Sequence, residues 1–133
     1  MPAHACYDYA VIRVVPRVER EEFVNVGVIL SCQSTRFLEA RIHVDRARLA
    51  ALAPRLDLDD VQRHLATIPL VCRGGPEAGA LGELSPRQRF HWLVAPRSAL
   101  IQTSAVHSGL TDDCDATLES LMRRMVLPSA GET

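Results

Sequence analysis

The chain has 133 residues, of which 47% are hydrophobic and 23% are charged, and its formal net charge is -1. These values exclude a disordered chain, which would combine low hydrophobicity with high net charge, and they exclude the strong positive field of a general nucleic-acid binder. The length is typical of one domain, so we predict a single domain over residues 1–133, with an ordered core at about 7–127 and a frayed tail at 128–133.

The cysteines and the N-terminal residues predict where the protein is found. The four cysteines are widely spaced and form no C-x-x-C pair, and the first residues lack the basic and apolar regions of a signal peptide. No apolar stretch approaches the length needed to span a bilayer. We therefore expect reduced thiols, a cytoplasmic location and no membrane association.

The N-terminal third predicts three antiparallel strands. Residues Tyr7 to Val15 are rich in β-branched and aromatic side chains on both faces, which is typical of an interior strand, and Pro16 is expected to end it. From Phe23 to Cys32, valines and a leucine alternate with Asn25, Gly27 and Ile29, which predicts a second strand with one apolar face. Apolar and polar residues also alternate over residues 36–44. Three successive strands of this kind form a meander.

The middle of the chain predicts helices. Asp45 is a suitable N-cap for a short helix through Ala53, and a second helix begins near Asp57 or Asp59 until Pro69 ends or kinks it. Residues 73–83 contain four of the seven glycines and are expected to form the longest loop. Ser85 and the residues after it match a capping box, which predicts a third helix before Pro96.

The last third predicts a strand from Ser98 to Ser104, a loop or short edge strand from Val106 to Leu110, and a final helix that begins in the acidic cluster at 112–115. Strands grouped before helices favour the α+β class over a doubly wound sheet. The predicted fold is an antiparallel sheet, made of the three-strand meander and one or two later strands, packed with three to four helices.

The first candidate site lies in the predicted N-terminal hairpin. Regular pairing places Arg13 opposite Asn25 and Val11 opposite Gly27, all on one face of the sheet. A guanidinium and an amide on one patch can receive a carboxylate or a phosphate, and Gly27 would allow its close approach to the backbone. The alternative is that Arg13 pairs with a glutamate at 21 or 22 and that Gly27 accommodates a bulge or a crossing helix.

The second candidate site is the segment 87–107, RQRFHWLVAPRSALIQTSAVH, which has three arginines and two histidines but no acidic residue. It supplies the candidate ligand-binding residues Arg97, Ser98, Gln102 and His107. A basic segment with an aromatic side chain can contact phosphate. The alternative is that Phe90 and Trp92 pack in the core while the arginines pair with the acidic residues at 112–115. Because all 15 basic residues are arginine, a single arginine is a weaker sign of an anion site than usual.

No motif of a nucleotide-binding loop, a nucleophile elbow or a zinc site is present. A serine, a thiol, histidines and aspartates are available for nucleophilic catalysis, but no spacing selects a triad, and catalytic residues stay unknown. His4, Cys6 and Asp8 alternate as metal ligands can, yet no second ligand cluster accompanies them. We expect no metal and no cofactor.

Two blocks of the sequence resemble the bacterial family named domain of unknown function 3037 (DUF3037). The blocks are YAVIRVVPRVEREEFVNVGVIL, followed by RFLEARI, and RFHWLVAPRSALIQTSAVHSGL, and the similarity runs from about Tyr7 to Val126. The resemblance implies a small cytoplasmic bacterial protein, with no established activity or catalytic residues to transfer. It also implies proximity in the genome to kinases similar to the HipA toxin kinase.

These features favour a non-catalytic binding or accessory module whose partner is a HipA-like kinase or a second copy of the chain. The alternative is an enzyme or a sensor that binds an anionic small molecule or nucleotide through the Arg, Asn, Ser and His candidates. Nucleic acid is not expected as a partner, because the net charge is close to zero.

Overall fold

The structure, a computed structural model, describes residues 4–97 and 99–128. Ser98 and nearly all of the predicted tail lie outside this range. The sheet has five antiparallel strands: β1 (Ala5–Arg17), β2 (Glu22–Cys32), β3 (Phe37–Ile42), β4 (Ile101–Thr103) and β5 (His107–Thr111). Their order is β3-β2-β1-β4, and β5 pairs with the N-terminal half of β1. The predicted meander and both later strands are confirmed.

Four α-helices pack on the sheet: α1 (Arg46–Leu52), α2 (Leu58–Arg73), α3 (Pro86–Leu93) and α4 (Cys114–Met125). Each helix follows an N-cap residue whose side chain accepts a hydrogen bond from the backbone N–H of the residue three positions later. The N-caps are Asp45, Asp57, Ser85 and Asp113. The capping box of Ser85 and Gln88 is complete. The α+β class is therefore confirmed. No helix within the described ranges has both the length and the apolar character needed to cross a membrane.

Two prolines lie inside elements, although Pro16 was expected to end its strand and Pro69 to end or kink its helix. Pro16 lies inside β1, and the pairing of β1 with β2 shifts its register between Val14 and Arg17. The sheet tolerates the missing N–H of Pro16 because the regular hydrogen-bond pattern is interrupted there. Pro69 lies inside α2, which continues to Arg73. The last turn of α2 is held by packing, because Val71 and Cys72 are buried in the core.

A bulge in β2 overturns the predicted pairing of Val11 with Gly27. Arg13 does pair with Asn25, but the next pair is Ile12 with Gly27, so Val26 is an extra residue in β2. One extra residue reverses the face of every side chain beyond it. Gly27 therefore shares a face with Ile12, whereas Arg13 and Asn25 lie on the other face.

The bulge also gives β2 two apolar faces instead of the one predicted. Val24, Val26 and Ile29 join the core cluster that contains residues of α1, α2 and α3. Val28 and Leu30 join a second cluster with Leu118, Leu121 and Met122 of α4. The sheet thus separates two cores, with α4 on one face and the other three helices on the opposite face.

Candidate functional site

Three polar residues form a cross-strand row on the α4 face of the sheet. Arg13 of β1 pairs with Asn25 of β2 on one side and with Gln102 of β4 on the other. We call these three residues the Arg13 row. The sequence placed Arg13 beside Asn25, and the structure adds Gln102 from the second candidate segment. The row thus joins residues from both predicted sites.

The Arg13 side chain has no charged partner among the residues that the structure describes. Neither glutamate that was considered as its partner, Glu21 or Glu22, forms an ion pair with it among the described residues, and Glu22 is bound to Arg20 instead. The guanidinium carbon of Arg13 lies 3.9 Å from the centre of the Phe23 ring, and its Nε is buried with no hydrogen-bond partner in residues 4–97 and 99–128. Burial lowers the pKa of Arg13 below its ordinary value. A buried guanidinium nitrogen without an acceptor costs free energy.

Asn25 connects the row to α4. Its Nδ2 donates to the backbone carbonyl of Met125 at a distance of 3.0 Å, which satisfies an acceptor at the C-terminal end of the helix. Its Oδ1 is buried and receives no hydrogen bond within the described part of the chain. The row therefore contains two buried polar atoms, Nε of Arg13 and Oδ1 of Asn25, that have no hydrogen-bond partner among the described residues.

Gly27 is not part of this patch. It is buried on the opposite face, and an added Cβ would lie 2.5 Å from the carbonyl oxygen of Arg41 and 2.9 Å from Cδ1 of Ile42. Its close backbone approach is to β3. Gly27 lies next to the bulge of β2, as the alternative interpretation of the sequence predicts.

His107 lies on the same face as the Arg13 row but further along β1. It pairs with Tyr9, and the two ring centres are 5.3 Å apart. Tyr9 and Arg13 are four residues apart on one strand, which corresponds to about 13 Å. His107 is exposed and extends the aromatic surface of Tyr7 and Tyr9 without reaching Arg13.

Arg97 is bound at the end of α3, which packs on the opposite face. Its guanidinium donates to the carbonyls of Trp92 at 2.7 Å and Leu93 at 3.1 Å, and it stacks on the Trp92 ring. A cation at this position complements the helix dipole. Arg97 therefore binds carbonyls at the C-terminal end of α3 and is not part of the Arg13 row. Ser98 lies outside the described residues.

Neither hypothesis for the segment 87–107 predicts the contacts that its arginines make. Phe90 is buried in the core as the alternative expects, but Trp92 is 46% exposed. No ion pair among residues 4–97 and 99–128 joins Arg87, Arg89 or Arg97 to the acidic residues at 112–115. Arg87 instead pairs with Asp8, and Arg89 is buried against backbone carbonyls.

The pair of Asp8 and Arg87 was not predicted from the sequence. Arg87 in the first turn of α3 donates to the Asp8 carboxylate and to Ser31, while Ser108 donates to the second Asp8 oxygen. The two charged side chains are only 22% and 29% exposed. Their residues are 79 positions apart, and no local pattern connects them. The ion pair of Asp8 and Arg87 links α3 to the sheet beside an open cleft of about 550 Å³.

We predict that Asp8→Asn lowers the free energy of unfolding by about 2 kcal/mol at neutral pH, because Arg87 loses its charged acceptor. Burial raises the pKa of Asp8, but hydrogen bonds from Ser108 and Arg87 and the charge of Arg87 lower it by more, so it lies below its ordinary value. A carboxylate with a depressed folded-state pKa stabilises the fold above the unfolded-state pKa, and the effect is lost as the pH falls through the folded-state pKa.

Urea denaturation at several pH values checks this expectation. The difference between Asp8→Asn and the native chain is expected to shrink below about pH 3.9, the unfolded pKa of aspartate. Asp59→Asn is the control, because Asp59 pairs with Arg46 at the surface and is 76% exposed. A difference that stays constant with pH would show that the Asp8 charge is unimportant.

A second open cleft, of about 640 Å³, lies between the end of β1 and the α1–α2 connection. Arg17, Arg20 and Arg55 line it together with Glu22 and apolar residues. Its charge suits an anion, although it contains none of the residues predicted from the sequence. Over the described ranges, no group of three His, Cys, Asp or Glu side chains is placed to hold a metal ion.

Comparison with known families agrees with the resemblance seen in the sequence. The profile of a family described as "Protein of unknown function (DUF3037)" matches residues 9–126. This range covers most of the chain, and the chain belongs to that family. No curated protein and no solved structure matches it.

Proposed function

We propose that this DUF3037 family member is a non-catalytic binding module, which holds a carboxylate or phosphate group of a partner protein on the Arg13 row. The observation that supports the proposal is the half-buried guanidinium of Arg13, which stacks on Phe23 and has no acidic partner among the described residues.

The shape of the surface favours a protein partner. Arg13 and Asn25 line none of the clefts described above, and they lie on a sheet face beside Phe23, which is 43% exposed. Arginine and aromatic side chains are enriched at protein interfaces, whereas small molecules prefer concave pockets. The Arg13 and Phe23 pair has the composition of an interface anchor.

The proposed location is the bacterial cytoplasm, and the proposed partner is a kinase similar to HipA. The location is supported by the four cysteines, which are all free thiols. The partner rests on the family resemblance. A phosphorylated or acidic segment of such a kinase would supply the anion that Arg13 lacks.

We expect that Arg13→Gln weakens binding to the HipA-like kinase of the same genome at least about tenfold, because the anion loses its guanidinium donor. Co-expression with tagged kinase, followed by titration of the purified proteins, measures the effect. Arg63→Gln is the matched control, since Arg63 is exposed on α2 and pairs with Asp60. Equal binding by both variants contradicts the role of Arg13, and no binding by the native chain rejects this partner.

A sensor of anionic small molecules is the second candidate function, and the cleft lined by Arg17, Arg20 and Arg55 favours it. A thermal-shift screen of nucleotides and phosphate metabolites tests it. A ligand at about 100 times its dissociation constant should stabilise the chain by about 2.7 kcal/mol. If Arg55→Gln abolishes such a shift and Arg13→Gln does not, the sensor function replaces the proposed one.

A further inference from the structure

Two cysteines that are far apart in the sequence meet at the N-terminal end of α4. Cys32 is the last residue of β2, and Cys114 is the first residue of α4. Thr35 joins them, because its hydroxyl lies 3.4 Å from the Cys32 carbonyl oxygen and 3.9 Å from the Cys114 sulfur. A side-chain hydrogen bond with the other thiol is among the causes of the pKa shift of both Cys32 and Cys114.

The packing of α4 keeps this contact in place. The helix runs antiparallel to β2, so Cys114 lies at the Cys32 end and the Met125 carbonyl lies at Asn25. Leu118 and Leu121 pack between these ends against Val28 and Leu30. This packing places Cys114 beside the end of β2 that contains Cys32.

We propose that Cys32 and Cys114 form a redox-active dithiol, which a low-molecular-weight disulfide such as oxidised glutathione converts to an intramolecular disulfide. Cys114 is partly exposed and Cys32 is buried, so Cys114 meets the oxidant first. Its thiolate attacks one sulfur of the oxidant and releases one glutathione thiolate. The Cys32 thiolate then attacks the Cys114 sulfur and releases the second. The two protons of the protein thiols pass to the two released thiolates.

The pKa of Cys32 supports its role as the attacking thiol of the second step. Burial raises the pKa of Cys32, but hydrogen bonds with Thr35 and Ser34 lower it by more, and its pKa lies below the ordinary value. Burial and the neighbouring Cys32 raise the pKa of Cys114. Thiol exchange needs a thiolate, and Cys32 supplies it for the second step.

The other two cysteines provide internal controls. Cys6 is exposed and lies on the opposite face of the sheet, beside Asp8. Burial raises the pKa of Cys72 to about 12, which keeps this thiol protonated and inert. A general oxidation of thiols would modify Cys6 first, whereas the proposed reaction selects Cys32 and Cys114.

The test oxidises the full chain with oxidised glutathione, blocks the remaining thiols after denaturation, and maps the peptides by mass spectrometry. We expect a Cys32–Cys114 crosslink, a mass lower by about 2 Da, and a higher midpoint of thermal unfolding. Cys6→Ser should keep the crosslink and Cys114→Ser should lose it. Its formation should slow in urea, where the contact is lost.

Two results would overturn the proposal. One is a Cys114–glutathione adduct that persists while Cys32 remains a free thiol, because the buried thiol would then fail to complete the reaction. The other is a crosslink that forms equally fast in the urea-unfolded chain, because the fold would then contribute nothing. The mapping uses the native chain, so it stays informative even if a variant fails to fold.

Discussion

Replacing Arg89 with methionine is expected to lower the free energy of unfolding by about 3 kcal/mol, because a buried carbonyl and a partly buried carbonyl lose a charged donor. Arg89 lies on α3 and is 7% exposed. Its guanidinium donates to the carbonyl of Leu84, just before the N-cap of α3, and to that of Cys72 in the last turn of α2. No acidic side chain among the described residues pairs with it. The negative end of the α2 dipole therefore balances its charge.

Urea denaturation measures this effect, and two further variants define its cause. Arg89→Lys keeps the charge, but a lysine ammonium group cannot donate to both carbonyls with the planar geometry of a guanidinium. We therefore expect an intermediate decrease in the free energy of unfolding. Arg63→Met at the surface should change the free energy of unfolding by less than about 0.5 kcal/mol. A loss below about 1 kcal/mol for Arg89→Met would mean that the carbonyls find other donors.

Replacing Gly27 with alanine is expected to destabilise the protein by about 2 to 3 kcal/mol, because the new methyl group overlaps a neighbouring strand. The added Cβ would lie 2.5 Å from the Arg41 carbonyl oxygen, which belongs to the backbone of β3 and cannot move alone. The contacts with Ile42 and Ile12, at 2.9 and 3.1 Å, involve the ends of flexible side chains.

The double variant Gly27→Ala with Ile42→Val separates these causes. Valine lacks the Cδ1 atom of Ile42, so it relieves that side-chain contact and leaves the carbonyl contact unchanged. We expect no recovery of stability in the double variant by urea denaturation. A full recovery would show that the conflict lies with Ile42, and a neutral Gly27→Ala would contradict the close approach of β2 and β3.

Local patterns in the sequence predicted most of the fold. Helix starts at Asp45 and Ser85 followed from capping chemistry, a helix start at Asp57 or Asp59 followed from apolar spacing, and the first strands followed from alternation. The predictions were wrong at positions where tertiary contacts determine the local structure. Packing carries α2 past Pro69, and one extra residue at Val26 moves Gly27 to the other face. Periodicity alone does not reveal a bulge, because both faces of β2 are apolar.

The candidate site was predictable only in part. Arg13 and Asn25 are neighbours because a short hairpin fixes their pairing, but Gln102 reaches them through β4, some 90 residues later in the chain. The partners of Asp8, Arg89 and Cys32 are also distant in the sequence or are backbone atoms. Such contacts leave no local signal. The absence of an acidic partner for Arg13 likewise becomes visible only in the folded chain.

The stability of Arg13→Gln distinguishes a partner-binding role of Arg13 from a structural role, and its measurement needs no identified partner. If the guanidinium serves an external anion, its removal takes away a half-buried unpaired charge and one contact with Phe23. The free energy of unfolding in urea is then expected to stay within about 1 kcal/mol of the native value. A loss above about 2 kcal/mol, approaching that of Arg89→Met, would show that Arg13 supports the fold and would contradict the proposed function.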